Sequence, residues 1–238
     1  MKKMTRFVCA ACTAVAVASS AFAEAEAETK VAPKSKGYTA IAFGLATPVQ
    51  LPWGFDWDVY GLDLNIGYSD ANRMRGIQIA LGANTARTDL MGAQVALGGN
   101  YSPDSSYGAK VACLNLTNGE LDGIAVDVVG LSRGFSGIQV DLLGAGVDGS
   151  FYGFTADGLG SLIDQDMWGF QAALGANFAR RVHGLQAALV FNMTESLTGA
   201  QVGLVNFASE CPVGFQIGLV NIILDNVVPV LPIVNGYF

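Results

Sequence analysis

The chain has 238 residues, of which 51% are hydrophobic, 14% are charged and 30 are glycine. So many glycines exclude a mainly helical protein, because each one costs about 1 kcal/mol inside a helix. The formal net charge of −7 argues against binding nucleic acid or an anionic membrane through bulk electrostatics. We therefore predict no nucleic-acid partner.

The first 23 residues have the pattern of a bacterial signal peptide. Lys2, Lys3 and Arg6 form a basic start, Phe7–Ala18 is apolar, and Ala21–Ala23 fits a small-x-small cleavage site. Cleavage there would remove three basic residues and no acidic ones, which makes the formal net charge −10. We therefore predict an exported protein of the bacterial outer membrane or cell surface.

The rest of the chain divides into a short leader and one long repeat domain. Residues 24–36 are polar and low in complexity, and we expect a disordered leader there. Residues 37–238 form a single β-repeat domain. No later stretch reaches about 18 apolar residues without Gly, Pro or charge, so no transmembrane helix is expected.

An anchor glycine recurs every 14 to 16 residues along the repeat domain. The anchors are Gly61, Gly76, Gly92, Gly108, Gly123, Gly137, Gly153, Gly169, Gly184, Gly199 and Gly214. The typical unit continues with Gln two positions after the anchor and with Asn a few positions later. Self-similarity at a fixed period indicates a repeat architecture.

Residues within each unit alternate with a period of two, which predicts β-strands. Positions one, three and five after the anchor are apolar, as in Ile77, Ile79 and Leu81, and we expect this face to be the dry one. The other face carries Gln, Ala, Gly and the charges within the strands. The candidate lumen or ladder residues on that face are Asp63, Gln78, Gln94, Lys110, Asp127, Gln139, Asp141, Asp157, Gln171, Gln186, Gln201 and Gln216.

We favour an all-β fold in the form of an antiparallel up-and-down barrel of outer-membrane type, with roughly 12–14 strands. Strands at Tyr38–Ala46 and Val228–Phe238 would be added to the eleven repeat strands, and Phe238 resembles the aromatic ending of such barrels. Tyr107, Tyr152 and Trp168 would belong to an aromatic girdle. Lipid would contact the Ile/Val/Leu face and the Gln face would line the lumen.

The alternative is a β-solenoid of about eleven 15-residue coils. It would use the Ile/Val/Leu face as an internal core and align Gln and Asn in side-chain ladders. The position two before the anchor favours it, because this position is also apolar, as in Met74 and Leu90. Ala125 and Thr155 replace the glutamine in two units, which puts a continuous ladder in doubt there.

The clearest units, Gly199–Asn206 (GAQVGLVN) and Gly214–Asn221 (GFQIGLVN), resemble the Leptospira-type surface-repeat proteins of bacteria. The segments Val59–Asn65 and Val230–Phe238 resemble the two ends of that family, and the resemblance covers residues 37 to 238. It implies a surface or envelope location and no established activity.

No catalytic or metal-binding motif is found in the sequence, so we predict a protein without cofactor that is not an enzyme. His183 is the only histidine and is expected at the surface, since one histidine makes no zinc cluster. Cys113 and Cys211 form either a disulfide or two small buried apolar residues. The predicted function is a structural element or narrow pore in contact with outer-membrane lipid. The alternative is a surface-exposed binding or adhesion module, with its protein or small-molecule partner unknown.

Overall fold

The structure is a computed structural model that describes residues 34–54 and 56–237. The predicted signal peptide, the leader up to residue 33 and the terminal Phe238 lie outside the described residues. The β-structure belongs to one compact unit, Ser35–Phe238.

Thirteen strands cover most of the described residues. They are β1 (Gly37–Ala46), β2 (Val49–Leu51), β3 (Trp57–Asn65), β4 (Tyr68–Ala80), β5 (Ala83–Ala96), β6 (Gly99–Ser102), β7 (Ser106–Val147), β8 (Phe151–Asp157), β9 (Gly160–Ala173), β10 (Ala176–Ala188), β11 (Phe191–Val202), β12 (Val205–Ile223) and β13 (Val230–Tyr237). The 42 residues of β7 pass through several repeat units without a break in strand conformation.

Each repeat pairs in parallel with the next repeat along the chain. From β3 to β12 the pairing of successive strands is parallel, and β1 joins β3 in the same sense. Anchor glycines lie opposite anchor glycines: Gly61 pairs with Gly76, and Gly199 pairs with Gly214. Each unit is therefore one coil of a parallel β-solenoid of about eleven turns.

The predicted antiparallel barrel is wrong. A barrel of that type needs each strand to run opposite to its neighbour, whereas here residue n pairs in parallel with the residue about fifteen positions later. The two expected end strands do form, as β1 and β13. The interior of the coil is filled by buried side chains, so the predicted lumen is wrong as well.

A column of glycine backbone runs along the solenoid, and it explains why the anchor is always glycine. Gly184 has φ +143°, a conformation that side chains rarely adopt, and a Cβ on it would lie 2.0 Å from the carbonyl oxygen of Gly169. The eleven anchors share this positive φ, between 126° and 159°. Only glycine fits a site with such a backbone and so close an approach of the next coil.

Both ends of the stack are closed by antiparallel strands. At the N-terminal end β2 pairs antiparallel with β1, and at the C-terminal end β13 pairs antiparallel with β12. Pro232 lies within β13, the edge strand, where its missing N–H costs no ladder bond to a further strand. Short or proline-containing edge strands discourage further strand addition.

The two faces of the strands are the reverse of those predicted from the sequence pattern. Gln78 and Gln94 are fully buried, whereas Ile77 and Ile79 are 47% and 37% exposed. The Gln face is therefore the interior of the coil and the Ile/Val/Leu face is its outside. The expectation of a dry Ile/Val/Leu face inside a solenoid is also wrong.

The apolar position two before the anchor is confirmed as core. Met74, Leu90 and Met167 are buried, and the rings of Phe135 and Phe151 stack with centroids 5.3 Å apart. Met74 and Gln78 are four residues apart on β4 and so point to the same side of the strand. The interior thus has an apolar column beside a polar one.

Candidate functional site

The buried glutamines form a ladder that joins successive coils. The side-chain amide of Gln186 donates to Oε1 of Gln171 at 2.8 Å, Gln201 donates to Gln186 at 2.7 Å, and Gln216 donates to Gln201 at 2.7 Å. A separate, shorter segment of this ladder lies nearer the N-terminus, where Gln94 donates to Gln78 at 2.8 Å. We call it the first glutamine segment. Because each of these amides donates to the glutamine of the neighbouring coil, the ladder reduces the cost of burying polar groups.

The asparagines form a second ladder that runs in the opposite direction. Asn192 Nδ2 donates to Asn206 Oδ1 at 2.9 Å, and Asn206 donates to Asn221 at 2.8 Å. Each of them also donates to a backbone carbonyl, such as Asn192 to Val202 O at 2.8 Å. The asparagines therefore bond both to the next coil and to backbone, which stabilises the bend of the coil.

Lys110 interrupts the first glutamine segment. Its ammonium is fully buried and donates to Ser102 Oγ at 2.9 Å and Thr117 Oγ1 at 2.8 Å. Burial lowers the pKa of Lys110 to about 7, because the charged form loses its hydration. Oε1 of Gln94, the next residue down the column, accepts no hydrogen bond.

Replacing Lys110 with glutamine is expected to stabilise the fold by about 1 kcal/mol or more at pH 6, because the new amide donates to Gln94 and no charge is buried. The folded pKa lies below the unfolded value, so the wild type carries its full penalty below pH 7. It recovers stability as pH rises from 7 towards 10.5. Urea unfolding at pH 6 and pH 10 measures both effects.

The exposed Lys36 provides the control, and Lys36→Gln should change stability little at either pH. A Lys110→Gln protein less stable than the wild type at pH 6 would contradict the assignment of Lys110 as an interruption of the ladder.

Three carboxyl groups occupy neighbouring coils in the middle of the solenoid. Asp127, Asp141 and Asp157 are buried, and among the described residues no donor outside these three carboxyl groups hydrogen-bonds to Asp141. Burial, followed by hydrogen bonding to and repulsion from Asp127 and Asp157, raises the pKa of Asp141 far above its usual range. Burial also raises the pKa of Asp127 and of Asp157. The cluster therefore keeps a proton near neutral pH, held mainly by the Asp141 carboxyl.

The ladder is interrupted in the units that the sequence singled out. Ala125 and Thr155 stand where other coils have glutamine, and Thr155 donates instead to Asp157 at 2.9 Å. At the N-terminal end Asp63 begins the column, and it accepts from Ser69 Oγ at 2.5 Å and Gln78 Nε2 at 3.3 Å. Burial raises the pKa of Asp63.

All twelve candidate residues are buried in the interior of the coil, so none is available to a partner at the surface. They connect the coils and do not form a binding face. The surface that sequence reasoning missed is the Ile/Val/Leu face, which it had assigned to lipid contact or to the core. The signal was present in the sequence, since this face lacks charge along its whole length.

We call the residues one, three and five positions after each anchor glycine, from Leu62 to Leu219, the outer apolar face. Its exposed large side chains are Leu64, Ile66, Ile77, Ile79, Leu81, Val95, Leu97, Val111, Ile124, Val126, Ile138, Val140, Leu142, Phe154, Leu174, Leu189, Val202, Leu204, Phe215, Ile217 and Leu219. So large an exposed apolar surface marks an interaction site.

The outer apolar face has a ridge along one side. Position five carries leucine in most coils, and Leu97, Leu142 and Leu219 are 68–69% exposed. Position three carries smaller residues, such as Val140 and Ala172. The face therefore consists of a shallow valley beside a row of protruding leucines. Near its N-terminal end it meets an open apolar groove of about 540 Å³, lined by residues that include Phe43, Leu51 and Trp53.

Most of the surface charges lie about half a coil away from this face, roughly eleven to thirteen positions after each anchor, whereas Arg75 and Asp122 stand directly before Gly76 and Gly123 and border it. Arg87 binds Asp70 through two hydrogen bonds and Asp56 through a third of 2.8 Å, and Arg181 pairs with Asp166 across neighbouring coils. The solenoid is thus amphipathic around its circumference.

In three successive coils, aromatic side chains at the position before the anchor border the outer apolar face. Tyr152 stacks on Trp168 with centroids 6.5 Å apart, and Trp168 stacks on His183 at 4.0 Å. These rings cover one another along the axis and stabilise the surface of the stack. His183 is partly exposed, and its ring packs against that of Trp168.

Cys113 and Cys211 are free thiols. Cys113 is exposed at position five of its coil, on the outer apolar face, whereas Cys211 is buried in the apolar core. The disulfide does not form, and the alternative of two small buried apolar residues is confirmed for Cys211 and wrong for Cys113.

Within residues 34–54 and 56–237 no group of histidine, cysteine or acidic side chains is arranged to hold a metal ion. The same residues contain no helix with the length and apolar character of a membrane span. Comparisons with protein-family models, with curated proteins and with solved structures found no match to this chain. The fold alone defines the class of the protein, a parallel β-solenoid, which is typical of surface repeat and adhesion proteins.

Proposed function

We propose that the protein is a non-enzymatic β-solenoid of the bacterial cell surface that acts as a binding or adhesion module. Its binding surface is the outer apolar face. The proposal is supported by the solenoid class, the signal-peptide pattern and the resemblance to Leptospira-type surface-repeat proteins. The observation that carries it is the exposure of an uncharged apolar face along the whole stack.

Exposing this apolar face to water costs free energy, and this cost indicates that the face has a function. Apolar surface contributes about 25 cal/mol per Å² when it leaves water, so a free face of this size favours association strongly. The buried amide ladders hold the coils together without using these side chains. The apolar residues are therefore free to contact a partner while the fold stays intact.

The test uses intact cells of the bacterium that carries the gene, with a deletion strain complemented by different variants. We expect antibody to the repeat domain to label intact cells, and cell attachment to an apolar surface or to other cells to fall in the deletion strain. Wild-type protein should restore attachment, whereas Val140→Lys or Ile217→Lys, which place a charge on the outer apolar face, should not.

Gln165→Lys is the matched control, because Gln165 is exposed outside the face and the charge change is the same. It should restore attachment fully. Labelling only after cells are permeabilised, or equal attachment by all strains at equal surface amounts, would refute the proposed function.

A further inference from the structure

We infer that the partner of the outer apolar face is a second copy of this chain, so that two solenoids pack face to face. This inference rests on the proposed function and names the binding partner. Its first support is chemical: no position of the face, from Leu62 to Leu219, carries a charged residue. A charged or strongly polar partner would find no complementary group there, whereas an identical face offers the same aliphatic side chains.

The area is sufficient for a stable dimer. Coils stack about 4.8 Å apart and a strand advances about 3.3 Å per residue, so the face measures about 50 Å by about 17 Å, or about 850 Å². Specific complexes bury about 800 Å² per partner. Two packed sheets lie about 10 Å apart with their side chains interdigitated, and this arrangement would remove both faces from water.

The shape of the face suits a copy of itself. The protruding row that includes Leu97, Leu142 and Leu219 lies beside the shallow row that includes Val140 and Ala172. Because both rows repeat once per coil, the ridge of one copy has a valley of the same period to enter on the other. A periodic surface is matched best by a partner with the same period.

Association through the ends of the stack is disfavoured, which leaves the side. The antiparallel strands β2 and β13 close the two ends, and β13 carries Pro232. Apart from Arg75 and Asp122, which border the face, the surface charges lie about half a coil from it, so those of two copies packed face to face stay over one Debye length, about 8 Å, apart. The formal net charge of −10 after residues 1–23 therefore opposes pairing only weakly, while it repels an anionic lipid surface.

Sedimentation velocity of residues 24–238 over a range of concentrations, in buffer without detergent, tests the inference. We expect the wild type to sediment as a dimer, and the dissociation constant to rise by about 100-fold or more in Val140→Lys and in Ile217→Lys, because each buries an unpaired charge in the interface. Gln165→Lys should match the wild type. Both replaced side chains are 41% exposed in one copy, so circular dichroism should show all the proteins equally folded.

Three results would overturn the inference. They are a monomeric wild type at every concentration, association that is equal in the face variants, and a monomer that instead floats with phosphatidylcholine vesicles and loses this binding in Val140→Lys. The last result would identify lipid as the occupant. Attachment of cells by a protein that is monomeric in solution would refute the inference and leave the proposed function standing. A dimer in solution, found together with an absence of surface labelling on intact cells, would support the inference and refute the proposed function.

Discussion

Replacing Gly184 with alanine is expected to destabilise the protein by about 3 kcal/mol or more. The new Cβ would lie 2.0 Å from Gly169 O, and the backbone would have to hold a non-glycine residue at φ +143°. Neither the steric clash nor the backbone strain can be relieved by a small local shift, because the neighbouring coil is held in place by its own ladder hydrogen bonds. Urea unfolding followed by circular dichroism measures the loss.

Gly134→Ala is the control for this substitution. Gly134 has an ordinary φ, and its Cβ would meet only the flexible side chain of Glu120, at 3.1 Å. Its cost should stay below about 1 kcal/mol, as for most substitutions outside special sites. Equal stability of the Gly184→Ala and Gly134→Ala proteins would show that the anchor glycines are not in contact from coil to coil.

Replacing Asp141 with asparagine is expected to make stability much less dependent on pH. In the wild type the folded pKa of Asp141 is raised above the unfolded value, so its stabilising contribution is complete below about pH 4 and is lost as pH rises. The loss reaches up to about 1.4 kcal/mol per pH unit for one proton. Asparagine keeps the size and neutrality of the protonated carboxyl and cannot ionise, so at pH 8 the variant should exceed the wild type by about 2 kcal/mol or more.

Free energies of unfolding for both proteins between pH 4 and pH 8 check this expectation. Asp104→Asn, which changes an exposed carboxyl, should leave the pH dependence of the wild type unchanged. A wild type that gains stability from pH 4 to pH 8, with Asp141→Asn following the same curve, would contradict the proton-sharing cluster.

The repeat was predictable from the sequence because each coil must present the same residue types at the same positions. The anchor glycines, the strand conformation and the core role of Met74 and Leu90 all follow from spacing alone. The interruption of the ladder at Ala125 and Thr155 was also predictable, because neither side chain can replace the amide.

Which of the two faces lies inside the coil was not predictable from the residue spacing. Period-two alternation separates two faces but does not say which one is inside, and the usual assumption places Ile77 and Ile79 in the core. The structure reverses this because the buried amides of Gln78 and Gln94 bond to each other from coil to coil, an arrangement that depends on parallel, in-register stacking. Chain direction between repeats is not encoded in the alternation, so an antiparallel barrel fitted the same pattern.

The parallel stack is tested most directly by distances between nitroxide labels on its protruding leucines. Leu97, Leu142, Leu174 and Leu219 would be changed to cysteine in pairs, with Cys113 and Cys211 replaced and unlabelled chain added in excess. Double electron–electron resonance in buffer without detergent should give distances that grow steadily at about 4.8 Å per coil. From Leu97 we expect about 14 Å to Leu142, about 24 Å to Leu174 and about 38 Å to Leu219. A Leu97–Leu219 distance no longer than Leu97–Leu174, as strands returning around a closed ring would give, would contradict the solenoid.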